Sequence, residues 1–211
     1  MIFSFAQNKK IKERAMFKIF LETERLILRE FTEGDADNLF ALDSNPEIIR
    51  WGNGGNTINY EIIKNQSLPK MMKYYEKYDC YGIWAAIERA SNNFIGWFHF
   101  YPATENKFAV ELGIVADDEI ALGYRLYPDK WGKGYAIEGS QKLVSKGFKE
   151  WGVQKVASWT LADNQRSIRV MEKVGLKFEK EFLFTDTQLP NLTKTERKAV
   201  KYILNKENYL N

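Results

Sequence analysis

Residues 128–138, PDKWGKGYAIE, place Gly132 and Gly134 one residue apart in a basic, aromatic setting, after an apolar run and before a helical pattern. Glycine lets the main chain take conformations, and make approaches to a ligand, that other residues resist. A helix starting directly behind such a turn presents unpaired N–H groups and the positive end of its dipole to an anion, so a pyrophosphate would sit well there. Two commoner phosphate signatures fit poorly. A Walker-type loop needs a Lys followed by Ser or Thr at its end, whereas Lys133 stands between the glycines with neither hydroxyl after it. A dinucleotide fingerprint needs a third glycine and a preceding parallel strand, and the strands before this turn read as antiparallel. A plain strand-to-helix turn stays open on glycine spacing alone.

The elements around the turn alternate. TERLILREF (23–31) alternates Leu26 and Leu28 with Arg25 and Arg29, as a half-buried strand does, and reads as the first strand. TEGDADNLFALDSN then reads as a helix, with Thr32 as N-cap and Leu39, Phe40 and Leu42 facing the core. WGNGGN (51–56) reads as a loop, and NYEIIKNQSLPKMMKYYEKY as a helix interrupted at Pro69. YGIWAAIER, FIGWFHFY, KFAVELGIV and EIALGYRLY read as four strands of an antiparallel meander. From Tyr135 a helical period runs through Leu143, Val144, Phe148 and Trp151 and stops at Gly152. VQKVASWTL is the next strand, Asn164 to Val174 a helix closed by Gly175, and KFEKEFLFT and KAVKYILN are two further strands. This order predicts one three-layer α/β domain over 19–211. Residues 1–18 are read as an extension outside it, with Met16 a second candidate start.

Composition narrows the class. The chain has 211 residues, enough for one sizeable core, and 31 Lys and Arg against 28 Asp and Glu leave a net charge of +3, without the broad basic face that duplex nucleic acid demands. Short basic clusters at Lys9, Lys10 and Lys12, and in TKTERK near the C-terminus, read as solvated. One cysteine, Cys80, excludes an internal disulfide framework, and with a lone His99 most metal constellations go too, so no metal is expected. A reducing, cytoplasmic setting is expected, and no apolar run approaches the roughly 18 residues of a membrane span. No nucleic acid or membrane partner is therefore expected; the oligomeric state is open, a homodimer included.

At the glycine turn the sequence resembles the GNAT superfamily of acyl-coenzyme-A-dependent N-acetyltransferases. That family's loop has the form Arg or Gln, x, x, Gly, x, Gly or Ala; here Trp131 takes the first position, Gly134 the fourth and Ala136 the sixth. Trp131 departs from the pattern, and WGKGYA looks like the RimJ/RimL branch, which acetylates N-terminal amines of ribosomal proteins and, in many relatives, other amines. LETERLILREFTEGDADNLF is similar to the branch's opening strand and helix. ADNQRSIRVMEKVGLKFE matches a third block, and together the three span 21 to about 183. The resemblance implies a mixed, mostly antiparallel sheet flanked by helices on both faces, with splayed central strands that admit acetyl-CoA as cosubstrate.

By the same resemblance, Trp131, Gly132, Lys133, Gly134, Tyr135 and Ala136 surround the pyrophosphate, and the main chain of Leu126 meets the coenzyme's arm. Asn164 is similar to a coenzyme-contacting Asn, while its position equally suits a helix N-cap. The family's frequent acid, a Tyr seven residues after that Asn, is Met171 here; Ser167, three after it, is the branch's proposed substitute. Amine acetylation needs a neutral amine, a polarised carbonyl and a stabilised leaving thiolate, with no covalent enzyme intermediate. For the base, Glu119 and Glu111 lie among apolar neighbours where burial raises a carboxylate pKa, and His99 is a third candidate. The acceptor is a small-molecule amine or a protein N-terminus. The alternative is a non-catalytic acyl-CoA-binding module on the same scaffold, for which the missing Tyr speaks.

Overall fold

The computed structural model describes residues 18–52 and 58–210. The extension up to residue 17, and 53–57 of the expected loop, lie outside the described residues. Among the described residues eight strands form one sheet in the order β1-β2-β3-β4-β5-β6-β8-β7, from β1 (Ile19–Glu22), β2 (Leu26–Arg29), β3 (Gly82–Glu88), β4 (Asn93–Pro102) and β5 (Glu119–Leu126) to β6 (Lys155–Leu161), β7 (Lys177–Leu183) and β8 (Lys198–Asn205). Every neighbouring pair is antiparallel except β5 and β6. The mostly antiparallel mixed sheet expected from the sequence is therefore present.

Helices cover both faces. On one lie α1 (Ala36–Asp43) and α3, a single helix built from Tyr60–Ile62, a π turn Ile63–Ser67 and Leu68–Lys77; α2 (Pro46–Gly52) follows α1. Leu39 of α1 with Ile63 and Leu68 of α3 close a core over Ala85. On the other face lie α5 (Tyr135–Glu150) and α6 (Gln165–Val174), whose Leu143, Val144, Phe148, Ile168 and Met171 meet Trp84, Phe98, Phe100, Leu122 and Leu126. The two short helices α4 (Lys107–Glu111) and α7 (Lys206–Leu210) follow β4 and β8.

Four local expectations change. The described residues open with β1, one strand earlier than TERLILREF, and Lys18 already holds this edge, its carbonyl accepting from the Glu30 amide at 3.0 Å. Trp51 and Gly52 end α2 rather than starting a loop. Pro69 does not interrupt α3: it has no N–H for the carbonyl four residues back, and the π turn just before it widens the backbone so that the helix continues. KFAVELGIV is not a strand. Asn106 caps α4 by accepting from the Ala109 amide at 3.0 Å, and Phe108 and Val110, which carried the alternation, are exposed. Glu111 thus sits on an exposed helix end, where Gln188 Nε2 donates to its carboxylate at 3.4 Å.

Helix α5 lies close on β4 because Gly139 has no side chain: a Cβ there would stand 2.5 Å from the Phe98 ring. Phe98 is fully buried and has nowhere to retreat. Gly139→Ala should destabilise the fold by about 1–3 kcal/mol, seen as a lower urea midpoint; an unchanged midpoint would show that α5 rides further from the sheet.

Candidate active site

Strands β5 and β6 pair over three residues, Glu119–Ala121 against Lys155–Ala157, and then part although both continue, to Leu126 and Leu161. β5 stays paired with β4 from Ile120 to Leu126, and the Tyr127 amide donates to the Ile95 carbonyl. Strand alternation then turns the main-chain groups of Tyr124 and Leu126 away from β4, into the gap. The Leu126 carbonyl is taken there by Trp131 Nε1 at 2.8 Å. The other side of the Trp131 indole carries the Arg166 guanidinium, 4.9 Å from the ring centre, which ties the loop after β5 to the first turn of α6.

That loop ends in two left-handed glycines, Gly132 at φ 72° and Gly134 at φ 85°, conformations open to glycine at little cost. Gly134 is the N-cap of α5, and the first main-chain bond of the helix runs from the Glu138 amide to the Gly134 carbonyl. The amides of Tyr135, Ala136 and Ile137 have no acceptor among the described residues. Free amides at the start of a sixteen-residue helix suit an anion.

The turn is held by a clamp from the β1–β2 connection. Arg25 Nη1 donates to the Lys133 carbonyl at 2.9 Å, Arg25 Nε to Glu138 Oε2 at 2.6 Å, and the Arg25 amide and Thr23 hydroxyl to Glu138 Oε1 at 2.9 and 2.6 Å. Burial alone would raise the Glu138 carboxyl, but these donors hold it below its ordinary range. The Arg25 guanidinium also covers the Tyr135 ring, 4.5 Å from its centre. On the other flank, Glu88 at the end of β3 receives Lys130 Nζ at 3.0 and 3.1 Å, the Tyr135 hydroxyl at 2.6 Å and the Ser91 hydroxyl at 2.6 Å. With one carbonyl of the turn occupied by Arg25, its amides are left for a ligand. The Lys133 side chain is exposed.

Asn164 caps α6, its Oδ1 accepting from the Ser167 amide at 3.3 Å. Ser167 is half-buried and stands beside Tyr124, which reaches across the gap from β5. Met171 is core. On the face of α1 and α3, His99 of β4 lies over Gly123, where a Cβ would come 2.5–2.6 Å from the imidazole. Trp97 and Tyr101 flank it, with ring centres at 5.7 and 4.6 Å, and Arg125 behind it is bound to Asp43 at 2.5 Å. Burial, and then the Arg125 cation, push the imidazole down to about 3, so it is neutral at pH 7. Glu119 stands elsewhere, at the closed end of the gap. Its carboxylate takes Lys201 Nζ at 2.8 Å on both oxygens, with Glu179 at 2.9 Å on the same ammonium, and Glu119 and Lys201 are almost wholly buried. Sequence reasoning missed the Arg25–Glu138 clamp, the Glu88 anchor and Tyr124.

Residues 25–177 match the family model described as "Acetyltransferase (GNAT) domain". The chain is 33% identical over 167 residues (79% of this chain, 85% of the other) to "Uncharacterized N-acetyltransferase YoaA" of Bacillus subtilis. It is 28% identical over 193 residues (90% and 77%) to "FsC-acetyl coenzyme A-N(2)-transacetylase" of Aspergillus fumigatus. Its fold matches a GNAT-family acetyltransferase from Bacillus anthracis at TM-score 0.69 and 23% identity, over 91% of this chain and 99% of that one. The chain belongs to the GNAT acetyltransferase family, and its cosubstrate is acetyl-CoA. The site fits that molecule: a turn of free amides for the diphosphate and a gap with unused main-chain groups for the acyl arm. Acetyl-CoA supplies an activated thioester, and the chain must only orient it and the acceptor. Among the described residues no cluster of His, Cys, Asp and Glu could hold a metal ion, and no helix is long and apolar enough to cross a membrane.

The Glu88 carboxyl is held down to about 2, from an ordinary 4.5, by its bonds from Ser91, Tyr135 and Lys130. A carboxyl depressed by folding adds stability that is complete above its unfolded pKa and lost as pH falls through the folded one. Glu88→Gln should therefore lower the urea midpoint at neutral pH, and the difference from wild type should shrink as pH falls from 4.5 towards about 2. A pH-independent difference would contradict the anchor.

Proposed function

We propose that this chain transfers the acetyl group of acetyl-CoA to a primary amine by direct attack of the amine on the thioester, within the RimJ/RimL-like branch suggested by WGKGYA and Ser167. The observation that carries the reading is the parting of β5 and β6 directly before the left-handed glycine turn. Gly132 through Ala136 cradle the diphosphate with main-chain amides, Trp131 and Arg166 wall the loop, and the Leu126 amide meets the pantetheine arm. Asn164 keeps its capping bond and turns its free amide group towards the coenzyme.

The acceptor enters from the α1 and α3 side, where His99 stands over Gly123. A neutral imidazole with no hydrogen bond among the described residues accepts one from the attacking amine and aims its lone pair at the carbonyl. This role passes to His99 rather than Glu119, because a carboxylate locked on a buried lysine cannot also serve an amine. A small-molecule amine or a protein N-terminus fits a wall of Trp97, His99 and Tyr101. A cytoplasmic monomer or homodimer is compatible with this reading.

Titration calorimetry should give heat on addition of acetyl-CoA, lost in Gly134→Trp. Thiol release over a panel of primary amines should fall at least about tenfold in His99→Ala, with the coenzyme's KM unchanged. Binding of acetyl-CoA with no thiol release above the amine-free rate for any amine would favour the non-catalytic module instead.

A further inference from the structure

Tyr124 stands where a hydroxyl is costly to leave idle. It lies on the stretch of β5 beyond the three residues paired with β6, on the same face as Leu122 and Leu126, and its ring packs by Phe98 with centres 6.0 Å apart. Its hydroxyl is buried, and although Ser167 lies close enough to draw on it, no group among the described residues meets it at full hydrogen-bonding geometry. A buried polar atom without a partner is uncommon and points to a group that arrives later. Its neighbour is Ser167, on the first turn of the helix that follows β6. The two hydroxyls therefore face each other from opposite walls of the gap. In this chain Met171, buried among apolar side chains, has no proton to offer there.

Resting on the acetyl-CoA reading above, we infer that the Tyr124 hydroxyl, supported by Ser167, is the hydrogen-bond donor to the thioester sulfur and to the coenzyme A thiolate that leaves. When the amine attacks, the N–C bond forms, the C–S bond breaks with its electron pair leaving on sulfur, and the surplus ammonium proton passes to water. The hydroxyl keeps its own proton. Burial pushes it up to about 12, with Ser167 drawing it back only in part, so it ionises less readily than a thiol. It acts by a charge-assisted bond that strengthens as negative charge gathers on sulfur, which is transition-state stabilisation by a fixed donor. The arrangement also accounts for the idle hydroxyl: its partner is the substrate.

The test needs no acceptor. Free coenzyme A is titrated into wild type and Tyr124→Phe at neutral and alkaline pH, and the ionisation of the bound thiol is followed by the ultraviolet absorbance of the thiolate. In wild type the bound thiol should ionise at least about one pH unit lower than free, so that thiolate binds about tenfold tighter than thiol. Tyr124→Phe should lose that preference while binding acetyl-CoA within about twofold of wild type, because only the response to charge on sulfur is removed. The ligand-free variant should melt close to wild type, since Ser167 beside the hydroxyl does not reach full hydrogen-bonding geometry. Retention of the thiolate preference in Tyr124→Phe would overturn the inference, and so would equal loss of acetyl-CoA and thiolate binding. If wild type bound neither ligand, the coenzyme reading itself would fall.

Discussion

Two parallel strands that stop pairing while both run on leave main-chain groups without partners, and buried groups of that kind must be satisfied by something. Here β5 and β6 part after Ala121 and Ala157, and the rest of the site follows from that parting. It exists because β5 is paired on its other side to β4 from Ile120 to Leu126, while β6 is fully paired to β8; each strand is anchored away from the other. The closed end is held by ladder bonds and by Lys201 between Glu119 and Glu179. That buried ion pair stands about where the gap must end, and breaking one partner of such a pair typically costs about 3–5 kcal/mol.

The open end is held differently. Its turn uses two left-handed glycines, and such a turn has little to fix it except what binds its carbonyls and flanks. Arg25 and Glu138 on one side, and Glu88 with Lys130 and Tyr135 on the other, fix those groups before any ligand comes. Preorganisation of this kind lowers the ordering cost of binding. The net charge is only +3, and under the proposed function the aimed amides of the turn, rather than a broad basic surface, receive the polyanionic coenzyme.

Much of this was legible in the sequence because it is local. The glycine spacing, the helical period after Tyr135, and the Asn164 to Gly175 helix all depend on neighbours within a few turns, and each stands close to where the residues alone put it. What could not be read is long-range or mimicked by a local pattern. Arg25 and Glu138 lie 113 positions apart, and each taken alone reads as a solvated charge. The alternation of Phe108 and Val110 imitates a strand, while the side chain that decides for a helix is the single cap Asn106. Glu119 looks like a pKa-tuned base among apolar residues, and only the sheet register brings Lys201 to it across β6. Tyr124 carried no signal beyond its place in an alternating strand; its meaning appears only when α6 brings Ser167 alongside.

Amide NMR of the protein titrated with coenzyme A tests the central claim most directly. The account predicts that the largest shifts fall on the amides of Tyr135, Ala136 and Ile137 at the start of α5 and on those of Tyr124 and Leu126 in the gap. Shifts at saturation confined to the α1 and α3 face, with those five amides unmoved, would contradict it.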